Sequence, residues 1–307
     1  MNNSPNTNPN HDKRRRTLYV SDLDGTLLGA DSRVSPRSAA ILNRLAEKGV
    51  MFTPATARTP ATVQPLLSQV AQSKYTDSRG TVHPLPSIVM TGAGLWDRSA
   101  VQFAACATIP EHDAMVIRDV YARHGLHPFV YCLSGNNFLN VYHPSAMTSR
   151  ENSFYQDRRH LQLKRFHLDQ QPASWNSVVL FFAIGTAEAM ARVSADLQAA
   201  TSCAAAWYPD VLLPETGLTD IYAPGVSKAS AVRELAQMTG AEETVVFGDN
   251  LNDLPMMGVA DLAVAVENAF PEVKERANLV TGPNTTDAVP RFIAEREGID
   301  ISDLMKL

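Results

Sequence analysis

Two aspartates, Asp22 and Asp24, sit one residue apart in the stretch "TLYVSDLDGTLLG" (17–29), directly behind a short apolar run. Carboxylates about 4 Å apart repel each other by roughly 4 kcal/mol at an effective dielectric near 20. Asp249 and Asp253, in "GDNLND" (248–253), follow a second apolar run, "TVVFG" (244–248). Gathering all four is costly unless a proton is shared, the groups stay exposed, or a cation is bound. An oxygen-rich set without His or Cys suits a hard cation such as Mg²⁺. The expectation is a magnesium site made mainly by Asp22, Asp24 and Asp249, with the Asp24 backbone carbonyl as one way for that residue to join it. Asp253 is expected behind it, positioning Lys228 or a bound water.

Magnesium among carboxylates usually keeps waters and meets a phosphate. Lys228 lies near the start of a helical stretch, where the dipole disfavours a cation by ~0.3–1 kcal/mol. An anion bound there reverses that sign. The Thr56 hydroxyl, the backbone N–H groups beside it and the Asn252 amide can donate to phosphate oxygens. The candidate substrate-binding set is Thr56, Arg58, Lys228 and Asn252. Each alone is an ordinary cap or surface group; the specificity lies in the pairing of "DLDGT" with "GDNLND".

These residues need elements that bring them to one edge. "TLYVS" (17–21), "VMFTPA" (50–55) and "SIVMT" (87–91) read as strands. Helices are expected after Ser35-Pro36 and Thr59-Pro60, each a cap followed by proline. The first carries an Ile41, Leu42, Leu45 stripe and the second Val63, Leu66, Leu67 and Val70. Later, helices near 227–240, 253–259, 271–277 and from about 286 alternate with strands 244–248, 262–266 and 278–281. Short apolar strands alternating with helices predict a parallel sheet covered on both faces. Ligands of such sheets bind beyond the carboxyl ends of the strands, where all four chemical features fall.

The stretch 96–213 breaks this rhythm with spaced aromatic and polar residues and one strand–helix pair. It reads as a second α/β unit inserted into the first. The expected division is a tail at 1–16, a parallel-sheet core from 17–95 and 214–307, and an inserted α/β unit at 96–213.

Composition sets outer limits. The 307 residues are 45% apolar and 19% charged, with net charge −5 and pI about 5.9. Nothing in that balance favours nucleic acid or an anionic membrane as partner. The one basic run, Lys13 to Arg16, follows a polar, Asn- and Pro-rich stretch that is expected to be disordered and solvated. No apolar segment follows it as in a signal peptide, and the longest apolar run, 178–185, is too short for a membrane helix. Three scattered cysteines without CxxC point to a reducing, cytoplasmic setting and away from zinc.

"DLDGT" (22–26), "ATAR" (55–58), Lys228 in "GVSKASAV" and "GDNLND" (248–253) resemble the haloacid dehalogenase superfamily of phosphohydrolases, in the arrangement of its Cof-type branch. The resemblance implies a Rossmann-like core with a mobile α/β cap. It implies Asp22 as nucleophile, forming an aspartyl-phosphate, and Asp24 as acid and then base. Thr26 would orient Asp24, while Mg²⁺ and Lys228 neutralise the transferring group. Small phosphomonoesters are the implied substrates, sugar phosphates foremost, with nucleotides, flavin mononucleotide and pyridoxal phosphate left open. Two departures from the family pattern are Ala57 between Thr56 and Arg58, and "TGAGLW" (91–96), which lacks the usual Asn. Two alternatives stay open at this level: phosphoryl transfer between metabolites on the same site, as in a mutase, and a non-catalytic phosphate-sensing module.

Overall fold

The computed structural model describes residues 15–210 and 213–306. The expected tail lies outside these up to residue 14. Arg16 is described, and its guanidinium donates to the Thr76 carbonyl (2.6 Å).

Five strands form one parallel sheet. Their spatial order is Leu279–Val280, Leu262–Ala265, Glu243–Gly248, Thr17–Ser21 and Met51–Pro54. Leu18, Tyr19 and Val20 are consecutive and all fully buried. Successive strand residues point to opposite faces, so both faces of the sheet are covered. Ser21 pairs with Phe247 on one side and Pro54 on the other. The carboxyl ends of three strands therefore lie abreast. The chain order reverses between Thr17–Ser21 and Glu243–Gly248, which is where a doubly wound sheet opens a crevice.

The covering helices start and stop for local reasons. In Pro36–Glu47 the Ser35 side chain accepts from the Ser38 N–H (2.9 Å). Lys228–Thr239 is capped by Ser227 and ends at Gly240 in the left-handed conformation (φ 62°). Pro60–Leu66 is shorter than its apolar stripe suggests: Pro65 removes a helical donor, and Val70 is buried beyond the helix end.

The expected third strand takes a different role. Ser87–Val89 meets the parallel sheet at one bridge, Ala55 to Ile88, and pairs antiparallel with Gly94–Asp97, which pairs with Gln102–Cys106. Met90, Thr91 and Gly92, all with positive φ, turn the chain back sharply.

A second, six-stranded sheet runs in the order Lys164–Leu168, Phe138–His143, Phe129–Ser134, Val178–Thr186, Thr216–Tyr222 and Ala204–Pro209. Thr216–Tyr222 falls beyond the expected 213/214 boundary. It is hydrogen-bonded between Val178–Thr186 and Ala204–Pro209, so it is a strand of this sheet. Strand parity divides the sheet's two faces. Val130, Phe181, Ala183 and Ile221 pack with helices Glu111–Arg123 and Ala187–Ala200. Tyr131, Leu180, Phe182 and Asp220 lie on the opposite face and look into a cavity.

Candidate active site

The chain leaves Thr17–Ser21 into a tight turn closed by Leu28 N–H donating to the Leu23 carbonyl (2.8 Å). Gly25 sits in it at φ 82°. A Cβ on Gly25 would lie 2.3 Å from Asp249 Oδ2, so only glycine lets the turn approach Asp249 this closely. The Thr26 hydroxyl donates to Asp249 Oδ1 (2.7 Å). Thr26 thus holds Asp249, where the sequence reading has it orienting Asp24. After Glu243–Gly248, Asp253 Oδ2 accepts from the Asp249 and Asn250 N–H groups (both 3.1 Å), which locks that loop.

Carboxyl oxygens of Asp22, Asp249 and Asp253 lie within 4.8 Å of one another. Lys228, itself 2% exposed, bonds Asp22 Oδ1 and Asp253 Oδ1, the latter at 2.8 Å. Burial pushes the Asp22 carboxyl up, Lys228 pulls it back, and Asp253 and Asp249 raise it again, leaving it at about 7. Burial likewise pushes Asp249 up to about 6 against the Thr26 hydrogen bond. For Lys228 burial works against the ammonium, but Asp22 and Asp253 outweigh it and keep it protonated. Three carboxylates against one ammonium leave a deficit that a divalent cation would fill. An all-oxygen donor set fits a hard ion such as Mg²⁺.

Asp24 is placed differently from the expected metal set. Its carboxylate takes both Arg58 Nε (2.8 Å) and Arg58 Nη2 (2.5 Å) in a bidentate pair. The converging side chains are therefore those of Asp22, Asp249 and Asp253. Thr56 is buried, and its Oγ accepts from the Arg58 N–H (3.1 Å), which turns the "ATAR" loop toward Asp24. Asn252 is exposed on the short turn 251–253.

Two further features had little sequence signal. Gly92, in "TGAGLW", is backed against the start of the lysine's helix: a Cβ there would lie 2.2 Å from the Ser227 carbonyl oxygen. The second is a cavity of about 680 Å³ between Ala57, Arg58, Thr59 and Thr62 and the second face of the six-stranded sheet, bordered by helix Ser149–Arg158. Asn136 and Asn137, polar residues of the inserted stretch, lie in the turn between Phe129–Ser134 and Phe138–His143, away from its walls.

The family match and the curated phosphatase relatives define the class, a hydrolase of phosphoric monoesters, here on a doubly wound α/β sheet. The model of the haloacid dehalogenase-like hydrolases matches residues 19–293, and the chain belongs to that family. A putative phosphatase from Haemophilus influenzae is 26% identical over 278 residues, covering 90% of this chain and 96% of the relative. Pyridoxal phosphate phosphatase YbhA from Escherichia coli is 26% identical over 286 residues, covering 90% and 97%. A crystal structure of a haloacid dehalogenase-like hydrolase from Bacteroides thetaiotaomicron superposes with a TM-score of 0.69 at 19% identity, over 92% of this chain and all of that one. That last likeness is one of fold. Among the described residues, no helix is long and apolar enough to cross a membrane.

Proposed function

We propose that the protein is a Mg²⁺-dependent phosphatase that hydrolyses small phosphomonoesters through an aspartyl-phosphate on Asp22. One observation carries this reading: a buried carboxylate with one oxygen tied to Lys228 lies beside Asp249 and Asp253, at the crevice between the two central strands. The Asp22 and Asp249 carboxylates, with the Asp24 backbone carbonyl, would hold Mg²⁺. When bound, the ion supplies charge neutralisation for the transferring phosphoryl group.

The remaining steps belong to the chain. The Asp22 oxygen not held by Lys228 attacks phosphorus, and the bond from phosphorus to the ester oxygen breaks. Asp24 gives its proton to that leaving oxygen. Asp24 then takes a proton from water, whose oxygen attacks the aspartyl-phosphate and releases phosphate and the Asp22 carboxylate. Lys228 stays protonated and neutralises charge on the equatorial oxygens, with the Thr56 hydroxyl and Asn252 amide as further donors. Both Asp24 carboxylate oxygens are engaged by Arg58, so Asp24 must leave that pair to reach the leaving oxygen. A bound substrate oxygen competes for the same guanidinium and would release it.

The six-stranded unit acts in this reading as a cap over the crevice, excluding water and contacting the leaving group. Its last strand in chain order, Thr216–Tyr222, belongs to that unit. A cytoplasmic setting belongs to the same proposal and rests on three unpaired thiols. Sugar phosphates follow from the family resemblance, and the Escherichia coli relative supports pyridoxal phosphate among the open candidates. The test is phosphate release across a panel of phosphorylated metabolites, with Mg²⁺ and with EDTA. Release that requires Mg²⁺ is expected. Isomerised sugar phosphate without free phosphate would favour the mutase alternative, and no turnover on any compound would refute the reading.

A further inference from the structure

Lys164 opens the strand Lys164–Leu168 on the cavity face of the six-stranded sheet and lines the cavity above the site. It is 6% exposed. Among the described residues, no hydrogen bond or ion pair reaches its Nζ; its contacts are the rings of Phe166 (5.5 Å) and Tyr131 (6.0 Å). A buried ammonium ordinarily carries a carboxylate partner, since burying the charge alone is costly. The cavity does hold Asp157, Asp210 and Asp220, but Asp220 accepts instead from the Tyr208 hydroxyl (2.8 Å). The charged neighbour of Lys164 is a second cation, Arg158, whose guanidinium lies over the Phe154 ring (4.1 Å). Burial, then Arg158, draws the lysine's pKa down to about 8. A buried ammonium with a second cation as its charged neighbour is suited to an anionic group of a ligand.

We infer that Lys164 binds a second anionic oxygen on the leaving group of the substrate, so that the preferred phosphomonoesters carry such an oxygen beside the phosphate. A carboxylate, a phenolate or a further phosphate would supply the same chemistry. The inference rests on the phosphatase reading and deepens it. It makes Lys164 a specificity residue, remote from the phosphoryl transfer itself. The cavity lining also includes Leu180, Phe182, Ile184 and Leu218, so ring compounds suit it as probes.

The experiment compares kcat/KM for phenyl phosphate with that for 3- and 4-carboxyphenyl phosphate, with Mg²⁺ present. The wild type is expected to prefer the better carboxylated ester by about tenfold or more, the scale of one charge-assisted hydrogen bond. Lys164→Met should abolish that preference, and Lys164→Arg should keep most of it. Equal rates for the three esters in the wild type, or an undiminished preference in Lys164→Met, would overturn the inference while leaving the phosphatase standing. The wild-type comparison stands even where a variant does not fold. No release from any of the three esters overturns the inference, and the phosphatase reading falls only if the metabolite panel is silent as well.

Discussion

Lys228 offers the sharpest energetic test, because its ammonium, 2% exposed, is shared between two buried carboxylates. Lys228→Met keeps the length of the side chain and removes the charge. Asp22 and Asp253, 7% and 0% exposed, are then left without their cation. Breaking a buried pair from one side costs roughly 3–5 kcal/mol. With a urea m-value of about 3 kcal/mol/M, the midpoint should fall by roughly 1–1.7 M. The measurement is urea denaturation in EDTA, so that no divalent ion replaces the lost charge. Without Lys228 the force holding Asp22 down is gone, and its folded pKa rises further above the unfolded value of about 3.9. The folded state then takes up protons more readily than the unfolded one. The deficit is therefore fully present above the folded pKa and shrinks as pH falls through it. Acidification from about pH 8 to about pH 6 should narrow the gap between variant and wild type. A wild-type midpoint in the variant at the higher pH, or a gap that widens on acidification, would refute the reasoning.

Other expectations follow from the same geometry. Asp22→Asn should remove phosphate release while leaving the circular dichroism spectrum unchanged; turnover surviving in that variant would end the nucleophile assignment. Mg²⁺ affinity should weaken as pH falls through about 7 and then 6, because protons on Asp22 and Asp249 compete with the ion, and calorimetric titration at several pH values reads this directly. Gly92→Ala should cost about 2 kcal/mol or more, since a left-handed backbone (φ 103°) and a 2.2 Å approach to the Ser227 carbonyl leave no room for a methyl group. The same change should lower kcat by displacing Lys228, and thermal melts with steady-state kinetics check both.

Sequence patterns carry the central sheet well. "TLYVS" and "TVVFG" are short apolar runs each followed by an aspartate, and both become buried neighbours, with Ser21 beside Phe247. They carry the second sheet poorly. Lys164–Leu168 reads "KRFHL", three of five residues charged or imidazole, and becomes a strand because pairing with Phe138–His143 supplies its hydrogen bonds. "SIVMT" looks like a further core strand, but positive φ at Met90 and Thr91, residues with no local preference for it, diverts the chain into an antiparallel ribbon. At the site, residue types identified the acidic cluster but not its internal pairing. Arg58 and Asp24 are 34 residues apart, and Thr26 and Asp249 are 223 apart. Which hydroxyl serves which carboxylate depends on the meeting of two loops, and no local spacing encodes it. Lys164 was equally invisible, since a lone lysine is ordinarily solvated.

The parity of Val178–Thr186 has a consequence for how this enzyme could change over time. Leu180 and Phe182 help line the chamber, while Phe181 and Ala183 anchor the helices behind them. Alternate positions on one strand thus answer to separate selective demands. New chemical preferences can be explored on one side without loosening the scaffold on the other, and without touching the aspartates at the carboxyl ends of the central strands.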